Sequence, residues 1–249
     1  MAEHQLDSVE NLSRIKQFID KKWALKEFYK RNYLYCADSL RNISGSGKLI
    51  EIGSGGGFLK EFIPEVITTD VIPYKGLDQV MDATQMPFED SSVRCFFLIN
   101  TFHHIPDVEK FLSEAQRCLV PGGKIMIVDQ HVGMISYFLL KYLHHEGFDQ
   151  KRVIWSFDSK GPLSDANGAL AWIVFRRDIE KFKMLYPRLE LASYVPHSPL
   201  WYWLSGGLKN WTLLSPVTGP LVRLIEKMLL RLSKNWGSFV NIEIRKNQK

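Results

Sequence analysis

The chain is poor in cysteine. Only Cys36, Cys95 and Cys118 occur in 249 residues, an odd number, far apart, with neither a C-x-x-C pair nor zinc-finger spacing. A disulfide framework and a structural zinc site are thereby excluded as organising devices, and thiols so placed are read as reduced, which fits a cytoplasmic protein. Long apolar runs are also missing. Residues 1–10 are polar and carry no apolar signal core, so no secretory leader is expected. The longest uncharged stretch, residues 191–208, holds Pro196, Pro199, His197 and two adjacent glycines, which argues against a spanning helix. What is abundant is ordinary for a globular chain: 45% hydrophobic and 24% charged residues, with a length suited to one α/β domain with insertions over residues 1–249.

The organising stretch is residues 49–61, Leu-Ile-Glu-Ile-Gly-Ser-Gly-Gly-Gly-Phe-Leu-Lys-Glu. A short apolar run ends in four glycines within five residues, and Phe58, Leu59, Phe62 and Ile63 then recur at helical spacing, so strand, tight turn and helix are predicted in that order. Glycine suits a chain that turns sharply and brings backbone N–H groups up to a ligand. The dinucleotide fingerprint G-x-G-x-x-G is incomplete, because Phe58 stands where the third glycine belongs. A P-loop is excluded at residues 41–48, where Lys48 is followed by Leu49 rather than Ser or Thr. The pattern that fits is acid-x-G-x-G-x-G, with Glu51, Gly53, Gly55 and Gly57.

Further elements follow at regular intervals. Residues 65–71 read as a second strand ending at Asp70, nineteen residues beyond Glu51, a position from which a carboxylate accepts from both ribose hydroxyls in a nucleotide-binding βαβ unit. Met81-Asp82-Ala83-Thr84 and an acidic turn at Glu89-Asp90-Ser91 come next, and residues 93–99 are an almost unbroken apolar run, as expected of a central parallel strand buried on both faces. Asn100-Thr101-Phe102-His103-His104-Ile105 leaves that strand at its carboxyl end. Residues 106–118 read as a helix with Phe111, Leu112, Ala115 and Leu119 on its apolar face, and Pro121-Gly122-Gly123 then turns into a strand at 125–128 that ends in Asp129-Gln130-His131.

Taken over residues 48–131, this order of elements and motifs resembles the class I S-adenosylmethionine-dependent methyltransferases, of the type 11-like kind. The resemblance implies an α/β Rossmann-like fold: a seven-stranded, mostly parallel sheet with an antiparallel last strand and helices on both faces. It implies S-adenosyl-L-methionine as cofactor, held by Glu51, Gly53, Ser54, Gly55 and Gly57 at the glycine turn, by Asp70 and Val71 after the second strand, by Asp82 and Ala83 near the adenine, and by Asn100 and Thr101 after the fourth strand. The cofactor carries a sulfonium and an ammonium and no phosphate, so an acid beside the turn makes chemical sense.

Outside this half, residues 8–40 read as one or two amphipathic helices, either packed on the sheet or capping the cofactor with Tyr29 or Tyr33 reaching it; residues 1–45 are taken as an N-terminal helical cap. Residues 132–249 are the expected acceptor side. They hold an apolar helix at 134–143, a polar loop at 161–168 that suits a lid, a helix at 178–186 capped by Asp178, and two alternating strands at 189–196 and 238–245 expected to form a hairpin. Between those strands lies an aromatic and basic insertion. From Lys209 onward eight basic residues face two acidic ones, a surplus of six, so the net charge of +5 resides there and residues 1–208 carry −1. Within it, residues 220–234 alternate an apolar face with Arg223, Lys227, Arg231 and Lys234. Such a helix either packs on the core with its charges solvated or lies in a membrane interface as a peripheral contact. No RNA-binding signature accompanies the charge, and a nucleic-acid partner is not expected.

Methyl transfer is an in-line displacement that depends on holding the acceptor at near-attack distance. A general base is needed only for a poorly nucleophilic acceptor; the candidates are His131, His103 and His104, all at carboxyl ends of strands. Asp129, His131, His144 and His145 include no i, i+4 histidine pair on a helix, so no metal site is expected. An Asn-Pro-Pro-Tyr turn after the fourth strand is absent, which argues against methylation of nucleobase amines or glutamine. The expected acceptor is a small molecule, a glycan or a lipid-type compound. Two other readings stay open: a non-catalytic module of the same fold docking to a membrane or partner, and an NAD(P)-dependent oxidoreductase, for which Tyr137 and Lys141 supply the Tyr-x-x-x-Lys spacing.

Overall fold

A computed structural model describes residues 7–43, 45–142, 146–161, 163 and 165–248. Seven strands build one sheet: β1 (Lys48–Ile52), β2 (Ile67–Asp70), β3 (Gln79–Val80), β4 (Val93–Ile99), β5 (Leu119–Gln130), β6 (Leu189–His197) and β7 (Phe239–Lys246). Their spatial order is β3-β2-β1-β4-β5-β7-β6. All neighbours pair in parallel except around β7, which runs antiparallel to both β5 and β6. Chain order reverses across β1 and β4, the place where open α/β sheets bind ligands outside the carboxyl ends of their strands.

Strand side chains alternate between two cores, as the two-residue period of a strand requires. Ile50, Ile52, Phe96, Leu98, Ile125 and Ile127 join one cluster, whereas Leu49, Cys95, Phe97, Met126 and Val128 join the other. The first is covered by α3 (Val108–Cys118) and by the run from α5 (Leu170–Trp172) through a π-helical turn at Ile173–Arg177 to α6 (Ile179–Leu185). The second is covered by α1 (Val9–Lys21) and α2 (Trp23–Leu40). Local chemistry fixes these ends: the Ser8 hydroxyl accepts from Asn11 N to start α1, and Asp107 accepts from Lys110 N to start α3. Three further helices, α4 (Met134–Tyr142), α7 (Trp201–Leu204) and α8 (Gly219–Leu232), lie in the second half. The three cysteines are buried and free.

Several expectations are corrected. The helix expected after the glycine turn is a single 3-10 turn at Leu59–Glu61, because Pro64 disfavours helical backbone at Ile63 and cuts the segment short. Phe58, Leu59 and Ile63 are nonetheless buried. The strand expected at 125–128 begins at Leu119 and takes Pro121-Gly122-Gly123 inside it, where the pairing with β4 slips between Val93 and Cys95. Asp178 precedes α6 as expected, but its carboxylate accepts from Arg177 and from Trp155 Nε1 instead of capping the helix. Pro196 is tolerated in β6 because β6 is an edge strand.

Candidate active site

A cavity of about 610 Å³ opens at the carboxyl ends of β1, β2 and β4, roofed by α1 and α2. The sequence builds its floor in a few steps. At the end of β1 the chain enters left-handed backbone at Gly53 (φ 67°), and a Cβ there would run into the Thr101 methyl. Thr101 Oγ1 in turn donates to Gly53 O at 3.2 Å, which ties the β1 and β4 turns together. Gly55 N and Ile72 N donate to the two carboxylate oxygens of Asp70, both at 3.0 Å. A carboxylate has about four lone-pair sites, so these bonds leave Asp70 capacity to accept from a ligand. Ser54 hangs by its N–H and hydroxyl on Thr69 O.

All eleven residues expected to hold a cofactor line this one cavity: Glu51, Gly53, Ser54, Gly55, Gly57, Asp70, Val71, Asp82, Ala83, Asn100 and Thr101. Val71 is exposed and Ala83 buried, while Asp82 accepts from the backbone and hydroxyl of Thr84. Tyr29 and Tyr33 reach it from α2: the Asn100 amide donates to Tyr29 Oη at 3.3 Å, and Phe58 N donates to Tyr33 Oη at 3.3 Å. Ser159, Lys160, Gly161 and Leu163 close another side, where Leu163 N donates to Asp7 ahead of α1. Pro162 and Ser164 of the expected lid lie outside the described residues.

The electrostatics of the floor are distinctive. Glu51 is buried with no ion-pair partner among the described residues, and desolvation, helped by the nearby Asp70 charge and only partly offset by Lys60, raises its pKa to about 8. Burial likewise raises Asp70. Asn100 Oδ1 and Gln130 Oε1, both at the cavity, are buried acceptors with no hydrogen-bond partner among the described residues. The floor thus gathers hydrogen-bond acceptors and acids, a set that fits a cationic, hydrogen-bond-donating ligand. The glycine turn leads only into the short 3-10 turn and not into an α-helix, so the helix N-terminus that holds a pyrophosphate after this turn in dinucleotide folds is not formed there.

The three candidate histidines separate sharply. His103 is buried between two carboxylates, with Nδ1 2.7 Å from Asp129 and Nε2 3.4 Å from Glu146. Burial opposes its charge, but Asp129 and Glu146 outweigh that and raise its pKa to about 10. His104 lies against it, with ring centroids 4.2 Å apart and the rings tilted by 41°, and has its pKa lowered by burial and by the His103 charge. Its Nδ1 lies 3.0 Å from Asp165 O. A carbonyl only accepts, so Nδ1 carries the proton and Nε2 is the basic nitrogen. Both line the cavity, whereas His131 does not. His131 is spent elsewhere, with Nδ1 2.8 Å from Tyr194 Oη and its pKa lowered to about 4 by burial and by Arg176.

Among the described residues, His103, His104 and Glu146 bring one potential metal-ligand atom each within 4.8 Å of the others. His144 and His145 of the set considered from the sequence lie outside the described residues, and Asp129 is engaged with His103. Sequence reasoning missed Glu146, Gln130, Tyr202, Trp203 and Phe239 at the cavity. None sits in a local pattern. The fold alone brings them from distant strands, from α7 and from the 146 loop.

Residues 50–127 match the family model described as a methyltransferase domain. The chain is 42% identical over 48 residues to a sterol 4-C-methyltransferase of Caenorhabditis elegans, covering 19% of this chain and 14% of that protein. It is 39% identical over 57 residues to a chloroplastic tocopherol O-methyltransferase of Arabidopsis thaliana, covering 23% and 16%. The chain therefore matches only about a seventh of the length of these relatives. In overall fold it is similar to an S-adenosylmethionine-dependent methyltransferase of Thermotoga maritima, with a TM-score of 0.51 at 14% identity, covering 94% of this chain and 99% of that one.

Proposed function

We propose that this chain, whose fold is that of the class I S-adenosylmethionine-dependent methyltransferases and whose residues 50–127 are a methyltransferase domain, transfers a methyl group to a lipid-type acceptor. One observation carries the cofactor reading: the cavity floor joins a buried Glu51, which forms no ion pair among the described residues, to Asp70 and to Asn100 Oδ1, which is unpartnered among those residues. Bound there, S-adenosylmethionine would supply an electrophilic methyl on a cationic sulfonium together with an ammonium. Glu51 and Asn100 would then accept from the ammonium, Asp70 from the ribose hydroxyls, and Val71, Asp82 and Ala83 would frame the adenine. The lack of an α-helix directly after the glycine turn and the missing third glycine favour this over a nicotinamide dinucleotide.

The acceptor class rests on the other wall. Phe18, Tyr202, Trp203, Leu208 and Phe239 make it apolar and aromatic, which suits a lipid-type molecule better than a glycan; the matched relatives are named for sterol and tocopherol substrates. For a hydroxyl acceptor, His104 Nε2 would take the departing proton, since it is the neutral imidazole at the cavity. His103, held protonated by Asp129 and Glu146, would fix the position of the His104 ring and contribute positive charge. Incubation with methyl-labelled S-adenosylmethionine and separated lipid, glycan and polar small-molecule extracts tests this. Label in the lipid fraction is expected, and label confined to a water-soluble fraction would overturn the acceptor class.

A further inference from the structure

The basic helix near the C-terminus packs the opposite way round from an ordinary surface helix. A helix on a globular protein turns its apolar stripe inward and its charges to water. In α8 the inward side carries Glu226 and Arg223 beside the half-buried Val222, Leu229 and Leu230. Glu226 is buried and accepts from Leu200 N at 2.9 Å and Trp201 N at 2.8 Å, at the start of α7. Arg223 donates to Glu27 at 2.7 Å and lies 4.6 Å over the Trp201 ring. The apolar side faces out: Leu221 is 62% exposed, Leu224 56%, Met228 57% and Leu232 79%, with Ile225 beside them. Trp211, Leu213 and Val217 of the preceding loop are exposed as well. Scattered exposed leucines are ordinary, but a whole helix face of them marks a binding surface.

The charge around this face has one sign. Between residues 209 and 234 the only acid is Glu226, which is buried, while Lys209, Lys227, Arg231 and Lys234 are exposed. An isologous contact with a second copy of the chain would set these cations against themselves. An anionic surface with an apolar interior meets both requirements at once. The patch also adjoins the cavity. Leu213 N donates to Leu204 O and so folds the 205–213 loop back on α7, and Trp203 and the partly exposed Leu208, on that same hairpin, line the cavity.

We infer that the outer face of α8, together with the loop at 208–217, lies in the interface of a bilayer containing anionic lipid. The acceptor enters the cavity from that bilayer past Leu208 and Trp203, a second step that rests on the proposed methyl transfer. Among the described residues no helix is long and apolar enough to cross a membrane, so the contact is peripheral. Each basic side chain at an anionic surface strengthens partitioning by about fivefold.

Sedimentation of the full chain with vesicles tests the contact. Binding to phosphatidylcholine vesicles containing phosphatidylglycerol is expected, with little binding to phosphatidylcholine alone and loss of binding at high salt. K227E/R231E should lower the partition coefficient by at least tenfold. L224S/M228S, which alters only exposed side chains, should lower it similarly. S-adenosylmethionine affinity measured without vesicles should be unchanged in both variants and reports that they are folded. Unaltered vesicle binding in both variants would overturn the inference. So would equal binding to neutral vesicles, or a concentration-dependent dimer abolished by L224S/M228S in place of vesicle binding. A chain that binds anionic vesicles but no S-adenosylmethionine would keep the surface and remove the enzyme reading.

Discussion

At the scale of single residues, three histidines that look alike in the sequence acquire three different chemistries from their surroundings. His103 is held protonated by Asp129 and Glu146, His104 is neutral with Nε2 basic, and His131 faces Tyr194 away from the cavity. None of this could be read from His103-His104-Ile105, because the partners arrive from β5 and from the 146 and 165 loops. The Glu51, Asp70 and glycine positions, by contrast, were legible, because a strand end, a turn and the next strand end fix them locally. With the acceptor proton passing to His104, His104→Gln should lower turnover by about 10²–10⁴-fold on a hydroxyl acceptor. The wild-type rate should fall on acidification with an apparent pKa below that of an ordinary histidine, and His104→Gln should lose that limb of the profile. Asp70→Asn keeps the size of the side chain and removes the charge. Titration should show S-adenosylmethionine affinity reduced about 10- to 100-fold, the cost of weakened charge-assisted hydrogen bonds.

Among the elements, the longer strands and the helices before the glycine turn were legible, and the short turn that follows the glycines was not. Residues 93–99 gave an almost unbroken apolar run, interrupted only by Arg94, because β4 is buried on both faces, and β6 and β7 alternated because only one face of each meets the core. The helical spacing of Phe58, Leu59, Phe62 and Ile63 reflects burial in a compact turn, and Pro64 overrides the periodicity. The amphipathic pattern of α8 was visible, but which side would face the protein was not. That choice depends on Glu226 meeting two backbone N–H groups of a segment 25 residues away. Glu226→Ala should leave the Leu200 and Trp201 donors unsatisfied and cost about 1–3 kcal/mol, measurable as a lower denaturation midpoint. Asp107→Ala, which removes the cap of α3, should cost about 1 kcal/mol by the same measurement.

Across the whole molecule, stability and ligand binding are linked through one buried acid. Glu51 has a folded pKa of about 8 against 4.5 for a free glutamate. Between these values the folded state holds a proton that the unfolded state has released, so the ligand-free protein loses stability as pH rises from about 4.5 to about 8 and no further from this group above that. Thermal melts should show Glu51→Gln flattening this dependence relative to the wild type. A cationic ligand beside Glu51 reverses the preference, because it favours the carboxylate and expels the proton. The most direct test of the account is calorimetric titration of the protein with S-adenosylmethionine at pH 7 in two buffers of different ionisation heat, with NAD and NADP as controls. Binding of S-adenosylmethionine with release of about one proton, absent in Glu51→Gln, and no binding of either nicotinamide cofactor are predicted. Binding of a nicotinamide cofactor, or S-adenosylmethionine binding with no proton released, would contradict the cationic site on which the functional reading stands.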